Sequence, residues 1–125
     1  MPSVSGRIAD NLEALLPLRF VGGREVECLV DTGATCALVL PPALVADLGL
    51  PTVGFVQGIQ LLGGERTDAA LALAQIEWLG QTRQVEVIVR EDYIIGTELL
   101  DGARVILDYR TRTLNIAIEA GATTD

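Results

Sequence analysis

Turn-forming residues recur so closely along this chain that short strands fit between them better than long helices. Thirteen glycines are spread over 125 residues, and adjacent pairs stand at Gly22-Gly23 and Gly63-Gly64. A chain punctuated in this way favours a β-rich fold over a helical bundle. Residues 15–21 read as a strand that Gly22-Gly23 ends in a hairpin-type turn. Residues 25–30 follow, with Val26, Cys28 and Val30 on one face. Asp31-Thr32-Gly33 breaks that run, and an apolar strand resumes over 35–40. Pro41-Pro42 opens a short helix over 43–48, and Gly49 is placed to end it.

The pattern is then β again. Strands over 53–62 and 66–79 flank Gly63-Gly64, and Gly80-Gln81 marks a further turn before 83–89. Residues 93–96 make a short apolar strand, and 97–101 allow about one helical turn closed by Gly102. A last pair of strands, 105–109 and 114–118, surrounds the turn at Arg110-Thr111-Arg112. Neither a repeat nor a linker divides the chain. The expectation is a single all-β domain over 1–125 with two short helices, its core between about 15 and 118. Trp78, Tyr93 and Tyr109 read as core or interface residues.

Composition removes several function classes. Half of the residues are apolar, enough for a real core in one domain. A net charge of −8 argues against nucleic acid or an anionic membrane as partner, since both need a basic footprint. No run is long enough to cross a membrane as a helix. Asp10 and Glu13 interrupt the apolar residues over 8–16, so no signal peptide is expected, and a cytoplasmic setting follows. Cys28 and Cys36 would then be reduced thiols behaving as small buried apolar residues. Their spacing suits no redox Cys-x-x-Cys motif, and they lack companions for zinc. The chain has no histidine, which excludes Ser-His-Asp and Cys-His mechanisms and argues against catalytic zinc. No metal or cofactor is expected, so carboxylates must carry any proton.

One carboxylate stands out. From Cys28 to Leu40, Asp31 is the only charged side chain in a segment whose composition asks for burial. Taking an ionised carboxylate out of water costs several kcal/mol unless hydrogen bonds or function offset it. Thr32 and Gly33 supply a hydroxyl and a tight turn whose amides can point at the carboxylate.

Leu29-Val30-Asp31-Thr32-Gly33-Ala34-Thr35 resembles the signature of retropepsin-like aspartic peptidases, two hydrophobic residues followed by Asp-Thr-Gly-Ala-Ser/Thr. A second signature of that family, two aliphatic residues and a glycine before a short helix, is matched by Ile94-Ile95-Gly96-Thr97-Glu98-Leu99-Leu100. The helix over 42–48 with Gly49-Leu50 is similar to bacterial members, and residues 105–109 resemble their closing strand. Thr35 and Thr97 depart from retroviral members, where Asp and Arg often stand.

The resemblance implies a closed β-barrel forming a two-fold homodimer, and an aspartic endopeptidase that cleaves a peptide or protein. Asp31, Thr32 and Gly33 would be its catalytic residues. Because only one Asp-Thr-Gly is present, the second carboxylate would come from Asp31 of another copy. Thr32 would hydrogen-bond across the axis. The hairpin at Leu61, Leu62, Gly63 and Gly64 would be a flap closing on substrate beside Ala34. Ile94, Ile95 and Gly96 would form the wall under the catalytic loop. Two other readings fit the same residues: a catalytically inactive dimerisation or peptide-binding module of this fold, and a β-barrel that binds a small ligand with Asp31 as anchor.

Overall fold

Alternating burial along the second strand shows how the core is built. In β2 (Ala14–Phe20), Ala14, Leu16, Leu18 and Phe20 point inward while their neighbours turn out. The computed structural model describes residues 2–60 and 66–118. β2 pairs antiparallel with β3 (Glu25–Val30), setting Leu16 against Cys28 and Leu18 against Val26. The turn between them takes Gly22 and Gly23 to φ values of 109° and 101°, a region that glycine enters without steric cost.

After β3 the chain crosses a loop to β4 (Leu38–Leu40) and enters α1 (Pro42–Asp47), whose Leu44 and Val45 are buried. Proline occupies the first helical turn, as read from sequence. At the other end Gly49 (φ 66°) donates to the Ala46 carbonyl and Leu50 to that of Val45. These two bonds are the glycine-dependent helix stop known as the Schellman motif.

β5 (Thr52–Gln60), β6 (Arg66–Trp78) and β7 (Gln81–Val89) form an antiparallel meander. Ala72, Ala74, Ile76 and Trp78 of β6 face the core with Val85 and Val87 of β7. The β6–β7 turn places Leu79 and Gly80 both at positive φ, matching the twist of the strands it joins. Then come β8 (Ile94–Ile95), α2 (Thr97–Leu100), β9 (Arg104–Asp108) and β10 (Thr113–Ala117).

Ten strands join in one sheet, in the order β5-β6-β7-β4-β8-β3-β2-β1-β10-β9, with a further short pairing of β2 to β6. The unusual step is at β8. It lies parallel to β3, with Leu29 against Ile94 and Val30 against Ile95, and antiparallel to β4. Two strands consecutive in the chain are thus held apart by a third that arrives about sixty residues later.

Several expectations need correction. A strand precedes position 15: β1 (Ser3–Ile8) pairs with β10 and, at its end, with β2. Its only large aliphatic residues are Val4 and Ile8, too few to announce it. Gly6 fits there because a Cβ would strike the Leu15 carbonyl oxygen. Arg7, on the outer face, holds Glu27 of β3 in a two-bond ion pair at 2.9 and 3.0 Å. The strand expected over 35–40 shrinks to Leu38–Leu40, since the preceding carbonyls are engaged by α2. Of the three aromatics read as core or interface, Trp78 is core; Tyr93 and Tyr109 are exposed, which removes them from the core of one copy and not from an interface. Cys28 is buried, but Cys36 only partly so. Among the described residues no helix is long and apolar enough to cross a membrane.

Candidate active site

The segment between β3 and β4 is fixed almost wholly by backbone. The Asp31 amide donates to the Ile95 carbonyl at 2.9 Å, continuing the β3–β8 ladder one residue beyond the strand. The Asp31 carbonyl accepts from the Ala34 amide at 3.1 Å and closes a tight turn. Beyond it, the loop carbonyls are taken up by the start of α2. Ala37 accepts from the Gly96 amide at 3.0 Å, Ala34 from Thr97 at 2.7 Å and Cys36 from Glu98 at 3.2 Å.

The first amides of a helix have no partner within it and need one from outside. α2 has no side-chain cap, so the Asp31 loop serves as its cap. In return the loop gains partners for carbonyls that would otherwise be stranded beside the core. The Thr97 hydroxyl adds a second bond to the Ala34 carbonyl at 3.1 Å. Gly96 is required for room: a Cβ there would run into the Cys36 carbonyl oxygen and lie 2.8 Å from that of Ala34.

Within this frame Asp31 is half-buried, next to buried Val30 on one side and exposed Thr32 and Gly33 on the other. The full burial that the surrounding sequence suggests is not reached. The carboxylate stands at the edge of the core, and no polar or charged residue is fully buried among the described residues. Its Oδ1 accepts from the Gly33 amide at 2.9 Å, the contact the Asp-Thr-Gly turn leads one to expect. Oδ2 accepts no hydrogen bond among the described residues. Gly33 is not at positive φ; what its missing side chain provides is space, since a Cβ would lie 3.3 Å from Asp31 Oδ1.

Beside the loop is an open cleft of about 230 Å³, bounded by Thr35, Cys36, Val56, Leu71, Glu86 and Glu98, among others. Val56 and Leu71 belong to β5 and β6, so the arms of the central hairpin border the same space as the Asp31 loop. Leu61, Leu62, Gly63 and Gly64, expected to form the flap, lie outside the described residues. A second cavity of about 300 Å³, mostly apolar, lies elsewhere, among Phe20, Val21, Leu48, Leu50 and Leu73. It contains no acidic or basic side chain, so acid–base chemistry points to the loop and not to that cavity.

The thiols offer no competing nucleophile. Burial pushes the Cys28 thiol up to about 12. Cys36 is also raised, chiefly by burial and further by the charges of Glu98 and Asp31. Both are therefore protonated near neutrality, and the thiolate is the reactive form. Among the described residues no three His, Cys, Asp or Glu side chains are grouped to hold a metal.

The structure brings Asp31, Thr32, Gly33 and Ala34 together on one turn and places Ile94, Ile95 and Gly96 directly behind it. Sequence reasoning registered Thr97 only as an uncharged departure. Its position directly after Gly96, at the start of a helix, was the available signal for its role in holding the loop.

A family described as aspartyl protease matches residues 16–107, well over half of the chain. The fold is similar to that of the EIAV protease solved with the inhibitor HBY-793. The two share 22% identity at a TM-score of 0.62, over 76% of this chain and 93% of that one. A foamy viral protease-reverse transcriptase in complex with an RNA/DNA hybrid gives 0.52 at 22% identity over 69% of this chain. That match takes in only 11% of the viral chain. Among curated proteins no match was found.

Proposed function

Because this chain belongs to the aspartyl protease family and carries a retropepsin-like fold, we propose that it is an aspartic endopeptidase whose catalytic pair is Asp31 and Asp31 of a second copy. The observation that carries this reading is the state of the carboxylate. Oδ1 is fixed by the Gly33 amide, Oδ2 accepts no hydrogen bond among the described residues, and the residue stands at the core's edge on a tight turn. A second carboxyl group can approach there.

Two carboxyl groups in contact do not both ionise readily, so the pair holds one proton between them, as is general for aspartic proteases. The ionised member takes a proton from a water held between them. The protonated member donates to the carbonyl oxygen of the scissile peptide as the water attacks carbon. Thr32 bonds across the axis and keeps the two turns in register. Ala34 contacts the extended peptide. The hairpin tip, Leu61, Leu62, Gly63 and Gly64, closes over it and excludes water. The β2–β6 pairing supports a barrel closed on itself, and the whole acts as one domain.

The test is cleavage of a mixed peptide library from acidic to neutral pH by wild type and Asp31→Asn, with sedimentation of both. The variant should lose about 10³-fold or more of its activity while staying folded and dimeric, in the range expected for removing an acid–base group. Cleavage that persists in Asp31→Asn sinks the mechanism. Wild type that folds and dimerises but cuts nothing points to an inactive module of the same fold.

A further inference from the structure

The floor of the cleft beside the Asp31 loop is the outer face of the β6–β7 pair. Leu71 stands opposite Ile88 and Leu73 opposite Glu86, so Leu71, Ile88 and Glu86 point to the same side. Leu71 and Ile88 are only partly buried, although their chain neighbours Ala72 and Val87 are fully buried on the other face. In β5, Gly54 is paired with Leu71 and has no side chain to cover it. A Cβ added there would meet nothing within 4 Å. Val56, two residues on, completes an apolar bed.

Charge at this cleft is confined to its rim and has one sign. Glu86 from β7 and Glu98 from α2 border it, both exposed, and no basic side chain does among the described residues. Neither carboxylate is held by an ion pair or a side-chain hydrogen bond among the described residues, whereas Glu25, Glu27 and Asp47 each have an arginine. The charges of Glu98 and Asp31 both raise the Cys36 thiol, so the rim and the Asp31 carboxylate act on the same residue. An aliphatic bed ending at carboxylates suits one kind of side chain, a long apolar stem with a cationic head. An apolar side chain would use the bed alone, and an acidic one would be repelled at the rim. The net charge of −8 adds long-range attraction for basic peptides.

We propose that this cleft is a specificity subsite that takes a lysine or arginine side chain of the peptide substrate, close to the bond that is cut. This rests on the endopeptidase reading above and names the class of substrate which that reading leaves open. The stem lies on Val56, Leu71 and Ile88, and the cationic head reaches Glu86 and Glu98. The two carboxylates come from separate elements, so each can be removed without disturbing the other.

Peptides sharing one cleavable sequence carry, at each position near the scissile bond in turn, either lysine or acetyl-lysine, which keeps the stem and removes the charge. At one of these positions kcat/KM of wild type should favour lysine by about fivefold, the modest gain that exposed ion pairs supply. The preference should shrink as salt rises. Glu86→Gln combined with Glu98→Gln should abolish it, and Glu86→Lys should shift it towards a glutamate peptide. A ratio is read because partial loss of folding slows both peptides alike. Equal cleavage of the two peptides at every position by wild type, or a preference that survives both substitutions, overturns the inference and leaves the endopeptidase reading intact. Binding of the same peptides to Asp31→Asn needs no cleavage and gives a second readout. A lysine preference there, lost when both glutamates are also replaced, supports the subsite even if wild type cuts nothing, a result that would sink the endopeptidase reading alone. Equal binding of the two peptides overturns the subsite.

Discussion

The Asp31 loop and the β9 edge are unfinished in opposite senses. The loop is complete as structure: its carbonyls cap α2, its first amide continues the β3–β8 ladder, and Gly96 presses against it with no space left. Its one carboxylate keeps an oxygen, Oδ2, that accepts no hydrogen bond among the described residues. β9 carries the opposite pattern: among the described residues it pairs on one side alone, with β10. The difference shows where this fold places rigidity. Backbone hydrogen bonds to α2 and β8 pin the turn that carries Asp31, while β9 is an ordinary strand held on one side among the described residues.

The sharpest way to break this contrast is Gly96→Ala. A Cβ aimed at two loop carbonyls cannot be absorbed by rotating a side chain. Urea unfolding should show a loss of about 3 kcal/mol, at the upper end for overpacking, and cleavage should fall with it. Stability unchanged within error would mean that the loop and α2 are less tightly joined than the hydrogen bonds imply. Thr97→Val should have a smaller effect, about 1 kcal/mol, because it removes the hydroxyl bond to Ala34 but leaves the amide bond. Thr97→Ser should restore it, and failure to do so would assign the loss to packing.

Near neutrality the smallest effect is on pH dependence, and it grows only in alkaline solution. The Cys28 thiol is held up to about 12 in the fold against an ordinary 9.0. Between those values the unfolded chain has released a proton that the folded chain retains. The stabilisation is therefore complete well below pH 9 and fades as pH rises, by about 1.4 kcal/mol at pH 10. Cys28→Val should flatten that alkaline decline; an unchanged profile would place its cause elsewhere. Glu27 behaves in the opposite sense, its carboxyl lowered first by the hydrogen bond from Arg7. That contribution is present above the ordinary carboxylate range and is lost as pH falls through the lowered value. Exposure to water makes it too small to resolve on the same curve.

Most of the loop was legible from sequence because its constraints are local or aliphatic. Asp31-Thr32-Gly33 announces a turn, and Ile94-Ile95-Gly96 announces a short strand that needs a tight neighbour. Gly49 ends α1 as its position suggests. The parts that were not legible depend on distant partners. β1 carries only Val4 and Ile8 as large aliphatic residues, and its status as a strand comes from lying between β10 and β2. The shortening of β4 cannot be read from residues 35–37 themselves, because the amides that claim their carbonyls come from α2. Tyr93 and Tyr109 were read as core or interface from their identity alone, and their positions just before β8 and just after β9 leave both rings exposed.

The insertion of β8 between β3 and β4 also has a consequence in time. The Thr97–Ala34 contact spans 63 positions of sequence, and closing so long a loop is a slow step in folding. A ribosome releases Asp31-Thr32-Gly33 well before Ile94-Ile95-Gly96, and until then β3 and β4 have nothing to hold them apart. A nascent copy thus displays the whole motif while its carboxylate has no fixed position. The Asp31 turn is thus translated early and gains its fixed shape only when the last quarter of the chain arrives.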